Sequence, residues 1–94
     1  MNEEKTALAL SLVKARLNRL DAALDDYLTQ RILAAYDYLS GQGLHLDPDE
    51  AGDLMLLVDT AVYQYSSRDA SGGEPEWLRY RIRQRWLRER GDQA

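Results

Sequence analysis

Apolar residues recur at intervals of three and four along the first 40 residues, and this spacing constrains the fold more than any other feature of the chain. An α-helix has 3.6 residues per turn, so side chains at these intervals lie on one face. The spacing therefore predicts helical structure from about residue 6 to residue 40. The residues that form this stripe are Leu10, Val13, Leu17, Leu20, Leu24, Leu28, Ile32, Ala35 and Leu39.

One helix of this length would span about 50 Å, several times the width of a small domain. We therefore expect a break near Asn18–Asp21, with Asp21 as the N-cap of the second helix. Gly41 or Gly43 can supply the left-handed residue that ends this second helix.

The clearest local signal comes next. Asp47 is followed by Pro48 and, two residues later, by Glu50, which is the pattern of a capping box with proline at the first helical position. Pro75 similarly opens a last helix after a polar, glycine-containing segment. The predicted buried stripe of the third helix consists of Ala51, Leu54, Met55, Val58, Ala61, Val62 and Tyr65.

These patterns predict an all-α fold, because no segment alternates in the manner of a strand. We expect a single compact four-helix domain over residues 1–94, with the long second and third helices at its centre. The predicted helices cover about residues 5–18, 22–40, 48–66 and 75–89, with a flexible loop at 66–74 and a short C-terminal tail at 90–94.

Composition excludes several kinds of site. The 94 residues include no cysteine and one histidine, His45, so neither thiolate metal ligation nor a histidine-based zinc site is expected. We expect His45 to pack on the bundle as a loop residue. No apolar run approaches the ~20 residues of a membrane span, and the first residues lack a signal-peptide pattern. The expectation is a soluble, intracellular protein without metal or cofactor.

No catalytic residue is predicted either. Asp25 and Asp26 are explained as part of an exposed helix face, and Asp47, Asp49 and Glu50 as part of a helix cap. Acid–base catalysis needs a carboxylate whose pKa is raised by burial, and the sequence places nothing apolar around these groups. A structural or binding protein is therefore expected, and not an enzyme.

Charge is distributed unevenly along the chain. Residues 1–76 hold six basic and fourteen acidic side chains, a net charge of −8, whereas residues 77–94 hold six arginines and two acids, a net charge of +4. A basic end on an acidic body suggests a polyanion or the acidic surface of another subunit as its partner. The alternative is a solvated helix that balances the charge of its own domain.

The last helix has two apolar strips. Leu78, Ile82 and Trp86 share one face, while Tyr80 and Leu87 lie nearly opposite. Two strips indicate contact from two sides, and Trp, Tyr and Arg are the residues enriched at interface hot spots. The alternative is that a tryptophan fills the core beneath arginine stems. The strips are separated by Arg79, Arg83 and Arg90 on one side and by Arg81, Arg85 and Arg88 on the other.

The pattern resembles the phage head–tail connector (adaptor) family over about residues 6–88. The similarity lies in packing motifs spread along the chain. They are Leu10-x-x-Val13-Lys14-x-x-Leu17, the joint Asp25-Asp26 before the Ala/Tyr-rich segment Ala34-Ala35-Tyr36, the leucine-rich helix that contains Leu54, Leu56 and Leu57, the pair Arg68-Asp69, and Pro75-Glu76-Trp77-Leu78 before the basic helix.

The resemblance implies a ring of about a dozen copies in the virion neck, assembled in the host cytoplasm. The ring would bridge the portal to a stopper or tail-completion protein, and packaged DNA would pass through it without sequence-specific binding. The residues implied at the portal are Trp77, Arg79, Arg83, Trp86 and Arg90. The chain ends soon after Arg90, so a long C-terminal arm into the portal is not expected.

Ring closure requires two different surfaces of one subunit to meet. We expect the acidic second helix, through Asp25, Asp26 and Asp37, to contact a basic surface of the neighbouring copy. A small regulator that binds nucleic acid through the arginine-rich helix is the second hypothesis, although the acidic body opposes a duplex lying along it. A generic protein-binding bundle, such as an antitoxin-like partner, is the third.

Overall fold

The computed structural model describes residues 1–67 and 73–93 of the chain. Within these ranges it contains four α-helices and no strand, which confirms the predicted all-α fold. Most of the loop predicted at 66–74 lies outside the described residues. The helices are α1 (Glu3–Arg16), α2 (Asp25–Gly41), α3 (Ala51–Ser66) and α4 (Glu76–Gln93).

The break between α1 and α2 lies in the predicted region near Asn18–Asp21. Asn18 adopts a left-handed conformation with φ of 55°, and the Arg19 N–H donates back to the Lys14 carbonyl at 2.9 Å, which is the Schellman ending of a helix. The predicted N-cap is wrong, because Asp21 instead accepts from the Ala23 N–H in a local turn and α2 begins at Asp25. A short polar side chain such as that of aspartate can accept from an N–H in a turn as well as from an N–H at the start of a helix.

The start of α3 also differs from the prediction. The helix begins at Ala51, and its N-cap residue Glu50 makes no side-chain capping bond. Asp47 accepts from the Asp49 N–H in a tight turn, while its own N–H donates to Asp53 of α3 at 2.9 Å. The carboxylate at the third position of the helix thus holds the preceding turn as the second half of a capping box does, but through the N–H of Asp47 and not that of the N-cap residue.

α4 is longer than predicted. It continues through Arg90 to Gln93, so the predicted tail at 90–94 is helical over most of its length. Gly91 lies in the last turn, where nothing lies within 4 Å of its Cβ position. One glycine weakens a helix by only about 1 kcal/mol and does not by itself end it.

α3 is the central element of the domain, because it contacts each of the other three helices, while α1 and α2 also contact each other. It is therefore buried over a wider arc than one stripe predicts: Leu56 and Leu57 are buried, whereas Met55 is 37% exposed. Leu20 of the predicted N-terminal stripe is 95% exposed, because it lies between two helices. The core comprises Ala9, Val13, Leu28, Ile32, Ala35, Leu39, Leu44, Leu46, Leu54, Leu56, Leu57, Val58, Ala61, Leu78 and Ile82.

Across residues 1–67 and 73–93, none of the helices combines the length and the apolar character needed to cross a bilayer.

Candidate interaction surface on the last helix

α4 attaches to the domain along one short face. Leu78 is completely buried, and Ile82, one turn further along, is 9% exposed. Trp86 is half-buried against the core, and its indole Nε1 lies 3.3 Å from the position that a Cβ would take on Gly43. The predicted apolar face is confirmed, and it spans little more than two helical turns.

Ionic contacts extend this attachment. We call Arg81, Arg85 and Arg88 the inner arginine row, because all three contact α3 or the turn before it. Arg85 holds both carboxylate oxygens of Asp53, with its Nε at 2.8 Å and its Nη2 at 3.1 Å. The same Nη2 donates to the His45 carbonyl at 2.9 Å. This fork geometry fixes the rotation of α4 about its own axis.

The other two members of the inner row have acidic partners as well. Arg81 pairs with Asp59, which also receives Arg16 from α1. Arg88 donates to the two carboxylate oxygens of Glu50 at 2.9 and 3.3 Å. Half of the arginines of α4 therefore balance acids of their own domain, as the alternative interpretation of the charge pattern holds.

Asp53 is the most deeply buried charge among the described residues, with 2% exposure. Burial by itself would raise the pKa of this carboxyl, but hydrogen bonds from Arg85 and from the Asp47 N–H together lower the pKa below its usual range. Sequence reasoning missed this residue. The available signal was a carboxylate within the largely apolar α3, which also contains Asp59, since a buried charge needs a partner and an arginine-rich helix supplies one.

Glu89 ties α4 to the turn that follows α2. Its carboxylate accepts the His45 N–H at 3.0 Å and contacts the His45 Nδ1, and these bonds lower the pKa of Glu89. The side chain of His45 is otherwise 83% exposed, so the expectation that it packs on the bundle is wrong. The main chain of His45 contacts Glu89 and Arg85, and the ring, apart from its Nδ1, lies on the outside.

The second apolar strip of α4 faces solvent. Its two predicted members, Tyr80 and Leu87, are 64% and 45% exposed, and Trp77, one turn before Tyr80, is 49% exposed. We call these three residues the aromatic strip. A shallow depression, lined in part by Trp77, Tyr80 and Arg83, runs beside it and is open to solvent. An open apolar surface of this kind suits a protein partner better than an enclosed small substrate.

Arg79, Arg83 and Arg90 form the outer arginine row, and all three are exposed. The guanidinium of Arg90 lies over the Trp86 ring, 4.6 Å from its centre. Among the side chains of residues 1–67 and 73–91, none of the three arginines has a carboxylate partner. The outer row is therefore the part of the C-terminal charge that the described domain leaves uncompensated.

The acids predicted at a subunit contact separate into two kinds. Asp25 pairs with Lys14 of α1 at 2.8 Å, so its charge is compensated within the chain. Asp26 and Asp37 are exposed on α2 and have no ion pair with another described residue. The described residues also contain no group of three or more His, Cys, Asp or Glu side chains placed to hold a metal ion.

Comparisons with protein-family models, curated proteins and solved structures found no match for this chain.

Proposed function

We propose that this chain is a non-enzymatic structural subunit of a phage neck. Copies of it form a ring at the portal vertex, bridge the portal to a stopper or tail-completion protein, and leave a channel through which packaged DNA passes. The proposal needs no cofactor and no catalytic residue. It rests on the family resemblance of the sequence together with one structural observation, the exposed outer side of α4.

That observation has two parts. The inner arginine row and Leu78, Ile82 and Trp86 already hold α4 on the domain, so the aromatic strip and the outer arginine row are not needed for folding. α4 buries one face and still exposes Trp77 and Tyr80 beside uncompensated arginines. This is the composition of an interface hot spot. We assign this outer surface to partner proteins, the portal among them.

Trp86 has a different part from the other residues expected at the portal. It is half-buried against the core and supports Arg90 from below. In this proposal Trp77 contacts the portal directly, and Trp86 positions the arginine above it.

The second hypothesis, nucleic-acid binding, retains one favourable observation, the outer arginine row. Three positive charges on one helix side are a small electrostatic footprint, since each phosphate contact contributes a separate increment of affinity. The other three arginines are paired with acids. The phage-neck proposal therefore uses the exposed surface more fully, because it accounts for the aromatic side chains as well.

The test uses the purified chain and the portal ring encoded in the same genome, examined together by native mass spectrometry. A discrete complex with about a dozen added copies is expected. The variant Trp77→Ala/Tyr80→Ala should reduce the number of bound copies, whereas Leu20→Ala, which removes an apolar side chain that is 95% exposed elsewhere, should not. Absence of a portal complex, together with a mobility shift of duplex DNA, would transfer the assignment to the nucleic-acid regulator.

A further inference from the structure

Two exposed acids, with polar and apolar residues between them, lie on the outward side of α2. Asp26 and Asp37 are eleven residues apart, which is about 16.5 Å along a helix and within about 20° of the same face. Between them lie Gln30, Leu33 and Ala34, of which Gln30 and Ala34 are exposed and Leu33 is half-buried. This face is directed away from α3, because the buried residues of α2 lie on the opposite side of the helix.

The outer side of α4 repeats that spacing with the opposite charge. Arg79 and Arg90 are also eleven residues apart, and therefore also about 16.5 Å apart along the helix on nearly the same face. Between them lie Arg83, the half-buried Trp86 and the exposed Leu87. Each helix thus has a charged residue at both ends of the pattern and apolar groups within it.

The two patterns match when α2 of one copy runs parallel to α4 of the other. Laid parallel, the helices place Asp26 opposite Arg79 and Asp37 opposite Arg90, because the residue numbers differ by 53 in both pairs. The positions between them then match in type as well. They are Gln30 with Arg83 and Leu33 with Trp86.

The antiparallel arrangement preserves the two charge pairs but loses the rest. It would place Leu33 opposite Arg83 and Gln30 opposite Trp86. An aliphatic side chain would then desolvate a guanidinium that it cannot hydrogen-bond, which is unfavourable. The match is therefore specific for parallel helices.

We infer that the partner of the outer arginine row is a second copy of this chain, which docks the outward face of its α2 in parallel register on α4. Since two different surfaces meet, the contact is heterologous and continues from copy to copy until a ring closes. The inference rests on the ring assembly of the proposed function and supplies its subunit contact. It also divides the outer surface of α4, so that the arginine row faces the neighbouring copy and the aromatic strip faces the portal.

Charge compensation within the chain supports this choice of partner. Asp25, Asp53, Asp59 and Glu50 all have basic partners of their own. Among the side chains of residues 1–67 and 73–91, Asp26, Asp37 and the outer arginines have none. Other exposed acids, such as Asp21 and Glu76, also have none, and it is the spacing along α2 that singles out Asp26 and Asp37. A helix pair of three to four turns buries much less area than a standard interface, so each contact is weak, and closure of the ring adds to its stability.

The test is charge reversal with rescue. One variant carries Arg79→Glu and Arg90→Glu, another carries Asp26→Lys and Asp37→Lys, and a third combines all four changes. Self-association is measured by sedimentation velocity at low salt. Each double variant should associate at least about tenfold more weakly than the unaltered chain, because like charges then face each other.

Rescue separates a direct contact from a general effect of charge. The combined variant, and an equimolar mixture of the two double variants, should regain association, because each glutamate then meets a lysine. Glu3→Lys/Glu4→Lys changes the net charge by the same +4 as the α2 variant at exposed positions of α1, and it should associate normally. Lack of rescue, or a monomeric unaltered chain at the highest attainable concentration, would overturn the inference.

These results are distinguishable from a failure of the proposed function. If the portal complex forms with its dozen copies and the charge variants join it as well as the unaltered chain does, the subunit contact is wrong and the phage-neck proposal stands. If self-association follows the charge pattern but no portal complex forms, the contact stands and the phage-neck proposal fails.

Discussion

Gly43 lies two residues after the end of α2, where the chain passes beneath α4. Its φ is +90°, and a Cβ at this position would lie 3.3 Å from the Nε1 of Trp86. The next N–H, that of Leu44, donates to the Leu39 carbonyl at 3.2 Å and completes the helix ending. The sequence predicts that Gly41 or Gly43 has this role, and the backbone conformation identifies Gly43.

Gly43→Ala should therefore lower the free energy of unfolding by about 1–2 kcal/mol, since a left-handed alanine is strained and its methyl group crowds the indole. Gly41→Ala is the matched control. Gly41 is the last residue of α2, and nothing lies within 4 Å of its Cβ position, so alanine there should leave stability unchanged or raise it by up to about 1 kcal/mol. Urea unfolding of the two variants would distinguish the sites, and equal stabilities would contradict the assignment.

Asp53 is the residue on which the position of α4 depends most. Asp53→Asn leaves Arg85 with a weakened partner in a site where the arginine side chain is only 12% exposed, so a loss of about 3 kcal/mol in unfolding free energy is expected. Asp49→Asn removes a surface pair with Lys5, in which the aspartate is 76% exposed, and should leave the unfolding free energy nearly unchanged. Thermal unfolding compared with the unaltered chain measures both.

Acid sensitivity follows from the same residue. The pKa of Asp53 is lower in the folded chain than in the unfolded one, so between the two values the unfolded chain binds more protons and stability rises with pH. The contribution of Asp53 is complete above the unfolded value of about 4 and is lost as pH falls through the folded value. Asp53→Asn should flatten the decline of stability below about pH 4, and an unchanged acid limb would contradict this cause.

At the scale of the element, α4 illustrates why two tryptophans of one helix differ. Trp86 packs against the core and beside Gly43, whereas Trp77 is 49% exposed at the start of the helix. The helical wheel places Trp86 on the buried face but does not say how deeply it is buried. Depth depends on the turn that contains Gly43, which reaches α4 only in the folded chain.

Trp86→Ala should lower the unfolding free energy by about 2–3 kcal/mol, somewhat less than the loss of a fully buried aromatic side chain. Trp77→Ala should change it by no more than about 0.5 kcal/mol and should instead weaken binding to the portal. Urea unfolding and native mass spectrometry of the same two variants give both values. A Trp86→Ala chain as stable as the unaltered one would contradict the packing described here.

At the scale of the whole molecule, charge is divided between contacts inside the chain and contacts outside it. The pairs that hold α4 include the nearly buried Asp53–Arg85, which salt screens only weakly. The outer arginine row and the acids of α2 are exposed, so salt screens a contact between two copies strongly. The Asp53–Arg85 pair that stabilises the fold is therefore nearly buried, whereas the charges proposed for assembly are exposed.

Raising the salt concentration from about 0.1 M to about 1 M shortens the Debye length from about 10 Å to about 3 Å. Self-association should weaken over this range, while the melting temperature of the monomer should change little. Sedimentation velocity and circular dichroism on the same samples provide the comparison. An assembly that is indifferent to salt would exclude a charge-matched contact between α2 and α4.

The sequence by itself determined the helical class, the number of helices and the region near Asn18–Asp21 in which the first break lies, because these features depend on local periodicity and turn chemistry. It also predicted the two strips of α4. Tertiary structure alone decided which arginines are paired, that Asp53 is buried, and that the turn before α3 is held from within the helix. The arginine pairings join distant residues, Arg85 with Asp53 over 32 positions and Arg88 with Glu50 over 38, and no local pattern encodes such a distance. The turn before α3 is held over six positions, but Asp53 is fixed there by its burial against α4.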